Sequence, residues 1–324
     1  MSYGFTSGFA KDLEDMIALK AIFGFSEATY LDRAKDFDRH CSSGHPDADR
    51  VTEPIVISWL KAGMSKADGT VHRKAAFARA FGRYQRSTGK DAYVISEMFT
   101  AGKSIFVPYI FSDDELKGLF HEIDLYEKAG RELEAALLST YFRLTYTCGL
   151  RPNEGRLLKR SEVDLGSGEV RIVNTKWHKS RSIVMSEDMR AVVRSYAAMR
   201  DASFPENGYF FPRPDGSPYT AAWMGGKFRK FFARSKKDEP SELLPPVRVY
   251  DLRHRFATAN LSRWLDRGID IHSRLPYLQA YMGHKELAAT AYYIHLLPEN
   301  LVRSSGIDWD SMNRLVPEVE LWER

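Results

Sequence analysis

The sequence predicts a mainly α protein with two domains, an N-terminal helical domain and an α-rich second domain that carries a small antiparallel β-sheet. Its 324 residues suggest two domains, since one domain typically takes about 150 residues. In the first hundred residues apolar side chains recur at helical spacing, as Phe77, Phe81 and Tyr84 do. Two β-rich runs, 170–173 and 182–185, are short and flank a polar turn, which is typical of a hairpin over residues 168–186.

Composition indicates a folded protein of the cytoplasm. The apolar content of 44% is enough for ordinary cores, and no run of about 18 apolar residues could cross a membrane. The first residues, Met1 to Phe5, lack the basic and apolar blocks of a signal peptide. Two cysteines cannot build a disulfide framework, and the scattered histidines lack the spacing of a zinc site. We therefore expect a cytoplasmic protein without metal or cofactor.

The distribution of charge predicts a phosphate-binding face in the first domain. A net charge of +4 is by itself a weak indicator of a nucleic-acid partner. Residues 1–60 hold six Lys/Arg against ten Asp/Glu, whereas residues 61–90 hold eight against one. The alternative is a solvated surface of a helical bundle. The cations proposed to contact DNA here are Arg73, Lys74, Arg79, Arg83, Arg86 and Lys90.

Helices of the first domain are predicted over residues 11–23, 27–41, 53–62 and 70–88. Residues 99–112 are predicted to connect the domains, which gives domain bounds of 1–104 and 109–324. Ser112 begins a helix N-terminal signal that opens the second domain.

Helices of the second domain are predicted from their start and stop signals. Arg151 and Arg253 lie at helix starts, where backbone N–H groups favour an anion. Asp251 is expected to cap its helix, with Tyr250 just outside it. The predicted helices are 131–147, one that starts at Pro152, Ser186 to about Ala202, Thr220 to about Arg234 with Lys227 and Lys230 as DNA contacts, Asp251 to about Asp266, Pro276 to Met282, and a short helix with Tyr293.

Five blocks of the second domain carry residues that suit phosphoryl transfer, which needs cations around the phosphate. They are Cys148-Gly149-Leu150-Arg151, Thr175-Lys176-Trp177-His178-Lys179-Ser180-Arg181, Tyr250-Asp251-Leu252-Arg253, Met282-Gly283-His284 and Tyr292-Tyr293-Ile294-His295. In this order they resemble the tyrosine recombinase (phage integrase) family, whose catalytic set is Arg, Lys, His-x-x-Arg, Gly-His and Tyr. Four blocks match, and in the third Tyr250 replaces the usual histidine. The resemblance implies the DNA breaking-rejoining fold, with a helical core-binding domain and a catalytic domain.

The resemblance also implies roles for these residues. Tyr293 would attack a DNA phosphodiester, release the 5′-hydroxyl and form a 3′-phosphotyrosyl bond without metal or ATP, and Tyr292 is its rival. Arg151 and Arg253 would hold the non-bridging oxygens. His284 would hydrogen-bond the phosphate or assist proton movement.

The resemblance implies one more catalytic role, that of the general acid, and several supporting ones. Lys176 would protonate the leaving 5′-oxygen, with Lys179 as the competing candidate. Glu154 would orient the cations from behind, and His295 is expected to support the site rather than do chemistry. Lys179 and Arg181, on the hairpin tip, would contact DNA.

Tyr250 departs from the family pattern. Its hydroxyl can donate to a phosphate oxygen but cannot act as the neutral imidazole base. Proton removal from Tyr293 would then fall to water, His284 or a shifted group. We expect His254 to lie on another helical face and not to substitute.

The predicted function is site-specific DNA recombination, as in the integration or excision of a mobile element. The expected partners are double-stranded DNA with specific sites, further copies forming a homotetramer on paired sites, and accessory DNA-bending proteins. The acidic tail from about residue 296 is expected to dock on a neighbour. The alternatives are a type IB topoisomerase-like enzyme and a catalytically silent DNA-binding protein of the same fold.

Overall fold

The computed structural model describes residues 3–25, 27–62, 69–97, 108–126, 130–173, 180–206 and 208–297. The chain divides into two compact units, Met1–Val107 and Pro108–Arg324. Helices dominate both units, which confirms the predicted fold class. Within these described ranges, no helix is long and apolar enough to cross a membrane.

The first unit is a set of helices around an aromatic core. The described residues of this unit hold four helices, and the predicted bounds of each agree with the observed bounds to within three residues. Phe37 is the centre of the core, with its ring 5.0 Å from that of Trp59 and 5.6 Å from that of Phe81. The observed bounds are α1 Ala10–Ile22, α2 Glu27–Gly44, α3 Glu53–Lys61 and α4 Gly69–Ser87.

The second unit begins with α5 at the predicted signal. Ser112 caps this helix: its Oγ accepts from the backbone N–H of Glu115 at 3.1 Å, and the Glu115 carboxylate accepts from the N–H of Ser112 at 2.9 Å. The bounds in this unit are α5 Asp113–Asp124, α6 Glu132–Thr147, α7 Pro152–Arg156, α8 Glu187–Ser203, α9 Ala221–Ser235, α10 Val249–Asp266, α11 Ile271–Met282 and α12 Ala288–Ala291, followed by a 3₁₀ helix Tyr292–Leu296. Shorter 3₁₀ turns cover Arg160–Glu162 and Ser241–Leu243.

A two-stranded antiparallel sheet lies between α7 and α8, as the hairpin pattern predicts. Strand β1 is Glu169–Ile172 and strand β2 is Arg181–Val184. Glu169 pairs with Val184 and Ile172 with Arg181. The register places Arg181 at the first position of β2, which matters for the site below.

Two predicted helix starts are wrong. Helix α10 begins at Val249, because Asp251 acts from the third helical position, where its carboxylate accepts from the N–H of Arg248 at 2.7 Å. Tyr250 therefore lies inside the first turn. Helix α11 begins five residues before Pro276, because the Asp270 carboxylate accepts from the N–H groups of residues 272 and 273.

Candidate active site

Arg253, on the first turns of α10, is fully buried and links three of the five sequence blocks. Its Nη1 donates to the carbonyl of Gly149 at 2.5 Å, and its Nη2 donates to the carbonyl of Met282 at 2.6 Å. Nη2 also lies 3.0 Å from Nε2 of His284. The buried Nε has no hydrogen-bond partner among the described residues. One guanidinium thus ties the turn between α6 and α7 to the end of α11.

Glycine is required where the chain passes Arg253. Gly149 has a φ of +57°, and a Cβ there would lie 2.4 Å from the Phe256 ring. Gly283 has a φ of +65° and ends α11 in the left-handed conformation, as the sequence predicts. These two turns present the carbonyl oxygens of Gly149, Met282 and Gly283 to the arginines of the site.

His284 follows this turn and is held as a neutral imidazole. Since Arg253 can only donate, Nε2 of His284 must accept, which leaves the proton on Nδ1. Nδ1 lies 2.7 Å from Oγ1 of Thr290 and donates to it. Burial, together with the charge of Arg253, lowers the pKa of His284 to about 3. Both ring nitrogens are therefore engaged at neutral pH.

Arg151 lies at the start of α7, one-quarter exposed, beside the same turn. Its Nη2 donates to the carbonyl of Gly283 at 2.8 Å, and its Nη1 donates to Oε1 of Glu154 at 2.7 Å. Glu154 also accepts from the backbone N–H of Arg151 at 2.9 Å. The carboxylate thus fixes both the backbone and the side chain of Arg151.

Arg181 is the second partner of Glu154, which corrects its expected place on an exposed hairpin tip. Its side chain is only 10% exposed, and its Nη1 and Nη2 donate to the two carboxylate oxygens of Glu154 at 2.9 and 2.7 Å. Nε donates to the carbonyl of Tyr281 at 2.8 Å. Burial alone would raise the pKa of Glu154, but the hydrogen bonds from Arg181, and then those from Arg151, hold it at about 2. Arg181 is therefore part of the framework behind the site.

Tyr293 is 3% exposed and belongs to an apolar cluster formed by α10, α11 and the 3₁₀ helix. Its ring is stacked on His284, with centroids 6.0 Å apart and planes at 18°. Burial raises the pKa of its hydroxyl to about 12, although the positive charge of Arg253 acts in the opposite direction. Tyr292 is half-buried and His295 is exposed. Tyr293 is thus the tyrosine that lies with Arg253 and His284.

His254 contacts the same tyrosine, so the expectation that it lies on another face is wrong. Its ring centroid is 5.6 Å from that of Tyr293 and 5.0 Å from that of Tyr250. The reason is helical geometry: residues four apart on α10 share one face. Burial first, and then the charges of Arg248 and Arg253, lower the pKa of His254 to about 4.

The structure also places the cations that the sequence suggests as DNA contacts. Lys74 is 5% exposed and pairs with Asp36 at 2.9 Å, and Lys227 pairs with Glu134 at 2.7 Å, so neither lies on an open surface as expected. The ammonium of each also lies over an aromatic ring, with Nζ of Lys74 4.7 Å from the centroid of Trp59 and Nζ of Lys227 5.0 Å from that of Trp223. Arg73 and Lys230 are exposed. Lys176 and Lys179 lie outside the described residues.

Four further cations that the sequence suggests as DNA contacts lie on or just after α4, and three of them bind the chain that follows this helix. Arg79 donates to the carbonyls of Ile95 and Ser96, Arg83 pairs with Glu97, and Arg86 donates to the carbonyl of Ala92. Lys90 pairs with Asp12 of α1 at 3.0 Å. Arg79, Arg83 and Arg86 therefore hold residues 92–97 in place. Of these four cations, only Arg83 and Arg86 are exposed.

Sequence reasoning missed Thr290 and rejected His254, and the structure places both beside residues of the site. Thr290, the hydrogen-bond partner of His284, has no local motif that would reveal it. His254 could have been found from its spacing of four from Tyr250, which places the two rings on one helical face.

Comparisons with known proteins show the family and the fold of the chain. The phage integrase family matches residues 111–300, more than half of the chain. The tyrosine recombinase XerC of Bradyrhizobium diazoefficiens is 29% identical over 241 residues, which cover 73% of this chain and 70% of that protein. Among solved structures, the XerH site-specific recombinase bound to difH substrate in a pre-cleavage complex has a TM-score of 0.63 at 17% identity, over 82% of this chain and 76% of that one. A lambda integrase tetramer bound to a Holliday junction has a TM-score of 0.59 at 14% identity, over 87% and 76%. The chain belongs to the phage integrase family and has the tyrosine recombinase fold.

Proposed function

We propose that this protein is a site-specific DNA recombinase that cuts and rejoins strands through a 3′-phosphotyrosyl intermediate. The observation that carries the proposal is the buried Arg253, which lies with His284 and Tyr293 and bonds to the turns that hold Arg151. Four residues from separate blocks of the sequence thereby form one connected set. Family membership supports the same chemistry.

In the proposed reaction the Tyr293 oxygen forms a bond to phosphorus while the bond from phosphorus to the 5′-oxygen breaks. Arg151 and Arg253 neutralise the non-bridging oxygens in the transition state, and the Nε of Arg253, which has no partner among the described residues, is one donor suited to that task. Lys176 gives a proton to the 5′-oxygen. The Tyr250 hydroxyl donates to a phosphate oxygen. The phosphotyrosyl bond keeps the phosphodiester energy, so that a second 5′-hydroxyl can rejoin the strand.

The position of Tyr293 implies a conformational step before cleavage. A side chain that is 3% exposed cannot present its hydroxyl to a phosphodiester. We therefore propose that the groups covering Tyr293 move aside when DNA binds, while Tyr293 keeps its ring contacts with His254 and His284, so that cleavage is coupled to formation of the complex.

The proposed partners are double-stranded DNA with specific recombination sites and further copies of this chain, in the setting of a mobile element. The lambda integrase neighbour, a tetramer on a Holliday junction, supports a homotetramer on paired sites, and accessory DNA-bending proteins would assist it. Residues 296–324 hold three Arg against six Asp/Glu, a charge that does not favour DNA and suits a contact to a neighbouring copy. Deletion from about residue 304 should spare single-site binding and impair synapsis in a gel-shift assay. Unchanged synapsis would contradict this role of the tail.

Covalent trapping tests the proposal directly. Nicked duplexes that carry the recombination site of the protein should give a protein–DNA complex resistant to SDS, and Tyr293→Phe should give none. The type IB topoisomerase alternative predicts relaxation of any supercoiled plasmid without sequence preference.

A catalytically silent DNA-binding protein is the second candidate. It is favoured by Tyr250 at the usual histidine position and by the burial of Tyr293 with a pKa raised to about 12. Sequence-specific DNA binding without covalent complex on any nicked substrate would select this candidate over the recombinase.

A further inference from the structure

Four aromatic rings form a continuous row through the site. The ring of Tyr250 lies 5.0 Å from that of His254, which lies 5.6 Å from that of Tyr293, which in turn lies 6.0 Å from that of His284. The ring of the attacking residue of the proposed function therefore contacts two imidazoles. Only one of these two imidazoles can serve it as a proton acceptor.

His284 has no nitrogen left for this task. Its Nε2 accepts from Arg253 at 3.0 Å, and its Nδ1 donates to Thr290 at 2.7 Å. Tyr250 carries a hydroxyl, which is no base toward another phenol at neutral pH. Neither neighbour in the row can take a proton from Tyr293 in this arrangement.

His254 has the missing acceptor. It is 9% exposed, and its Nδ1 is buried without a hydrogen-bond partner among the residues that the structure describes. A buried polar atom without a partner is uncommon and calls for a specific explanation. In the neutral imidazole with its proton on Nε2, Nδ1 is an acceptor. The charged groups that act on this ring, Arg248 and Arg253, both favour the neutral form.

We propose that His254 is the proton acceptor of Tyr293, and thereby supplies from the next turn of α10 the imidazole that position 250 lacks. This inference rests on the proposed function. As the Tyr293 oxygen bonds to phosphorus, its hydroxyl proton passes to Nδ1 of His254, while the 5′-oxygen leaves with a proton from Lys176. The reverse transfers accompany rejoining, so that no external acid or base is consumed.

The test is the single-turnover rate of covalent complex formation on nicked DNA with saturating protein. His254→Ala and His254→Phe should each lower the rate by about 10²–10⁴-fold, the usual contribution of a positioned base. Added imidazole should restore a large part of the rate to His254→Ala and none to Tyr293→Phe. A ring of similar size without nitrogen, as in His254→Phe, should not substitute.

His272→Gln is the matched control, because His272 also has a buried ring nitrogen without a described partner and makes no ring contact with Tyr293 among the described residues. It should cleave at the wild-type rate. Circular dichroism and gel shifts establish that each variant folds and binds DNA. Wild-type rates in the His254 variants, full activity of His254→Phe, or a folded His254→Ala that imidazole does not rescue would each overturn the inference. Absence of covalent complex in the wild-type protein would instead count against the proposed function.

Discussion

Arg181 holds the carboxylate of Glu154 through two hydrogen bonds of 2.9 and 2.7 Å, and both side chains are about nine-tenths buried. Glu154 in turn holds Arg151 through its side chain and its backbone N–H. An arginine from the hairpin thereby sets the position of an arginine proposed to bind phosphate. Arg181 therefore contributes to the geometry and the stability of the site.

Arg181→Ala should lower the free energy of unfolding by about 3 kcal/mol, the low end for a broken buried pair, because Arg151 still bonds to Glu154. The double variant Arg181→Met with Glu154→Leu should recover only part of this loss, since it removes the buried pair but leaves Arg151, which is 25% exposed, without its carboxylate. Urea unfolding measures both. If Arg181 instead bound DNA, Arg181→Ala would weaken the dependence of DNA affinity on salt concentration by about the amount that one phosphate contact contributes. We expect that change for Lys230→Ala, because Lys230 is exposed.

Tyr293→Phe should keep DNA binding and lose covalent complex, because it retains the buried ring and removes the attacking oxygen. Tyr292→Phe is the matched control and should still form the complex. Gel shifts and SDS gels on a nicked substrate measure the two properties. Loss of complex in Tyr292→Phe with retention in Tyr293→Phe would move the nucleophile by one residue.

Arg151→Ala and Arg253→Lys should lower the cleavage rate by about 10²–10³-fold and DNA affinity far less, because their contribution is concentrated in the transition state. Lysine at position 253 keeps the charge but lacks the planar fork that reaches Gly149, Met282 and His284 together. Single-turnover cleavage and equilibrium binding separate the two effects. An equal fall in rate and affinity would show that these arginines are only backbone contacts.

A substrate with a 5′-phosphorothiolate at the cleavage site should restore cleavage to Lys176→Ala, because sulfur leaves without a proton. It should not restore cleavage to Arg151→Ala, which provides the comparison. Cleavage rates on oxygen and sulfur substrates are the measurement. Rescue of Lys179→Ala in place of Lys176→Ala would transfer the general-acid role to Lys179.

Acidification from pH 7 to pH 5 should destabilise the protein by about 2 kcal/mol for each of His254 and His284. Burial lowers the pKa of these side chains to about 4 and about 3, whereas an unfolded histidine titrates near its ordinary value. Between the folded and the unfolded pKa values, the unfolded state binds protons that the folded state does not. The stabilisation is therefore fully present above the unfolded pKa and is lost as the pH falls toward the folded pKa. Urea unfolding of His254→Gln should show a loss smaller by about 2 kcal/mol, and the exposed His121→Gln should behave like wild type. An equal loss in His254→Gln and wild type would contradict the buried, neutral state.

Much of the fold follows from local rules. Ser112 begins its helix and Gly283 ends its helix, as their chemistry dictates. The hairpin follows from β-branched runs around a polar turn. The starts of α10 and α11 do not follow from these local rules. Asp251 acts from inside α10, and Asp270 caps α11 ahead of an internal proline. Several carboxylates can satisfy the same N–H groups, and the local pattern does not choose among them.

The sequence by itself determined the family resemblance and the order of the proposed catalytic residues, with Tyr293 as the proposed nucleophile, because these depend on residue types at fixed spacings. Only the tertiary structure decided which cations are free to meet a partner. Lys74, Lys227 and Arg181 carry the same charge as an exposed lysine, yet each is paired with a carboxylate distant in sequence. It also decided the place of His254 beside Tyr293, since contact between α10 and the 3₁₀ helix is set by packing of an apolar cluster that brings together residues about 40 apart in the chain.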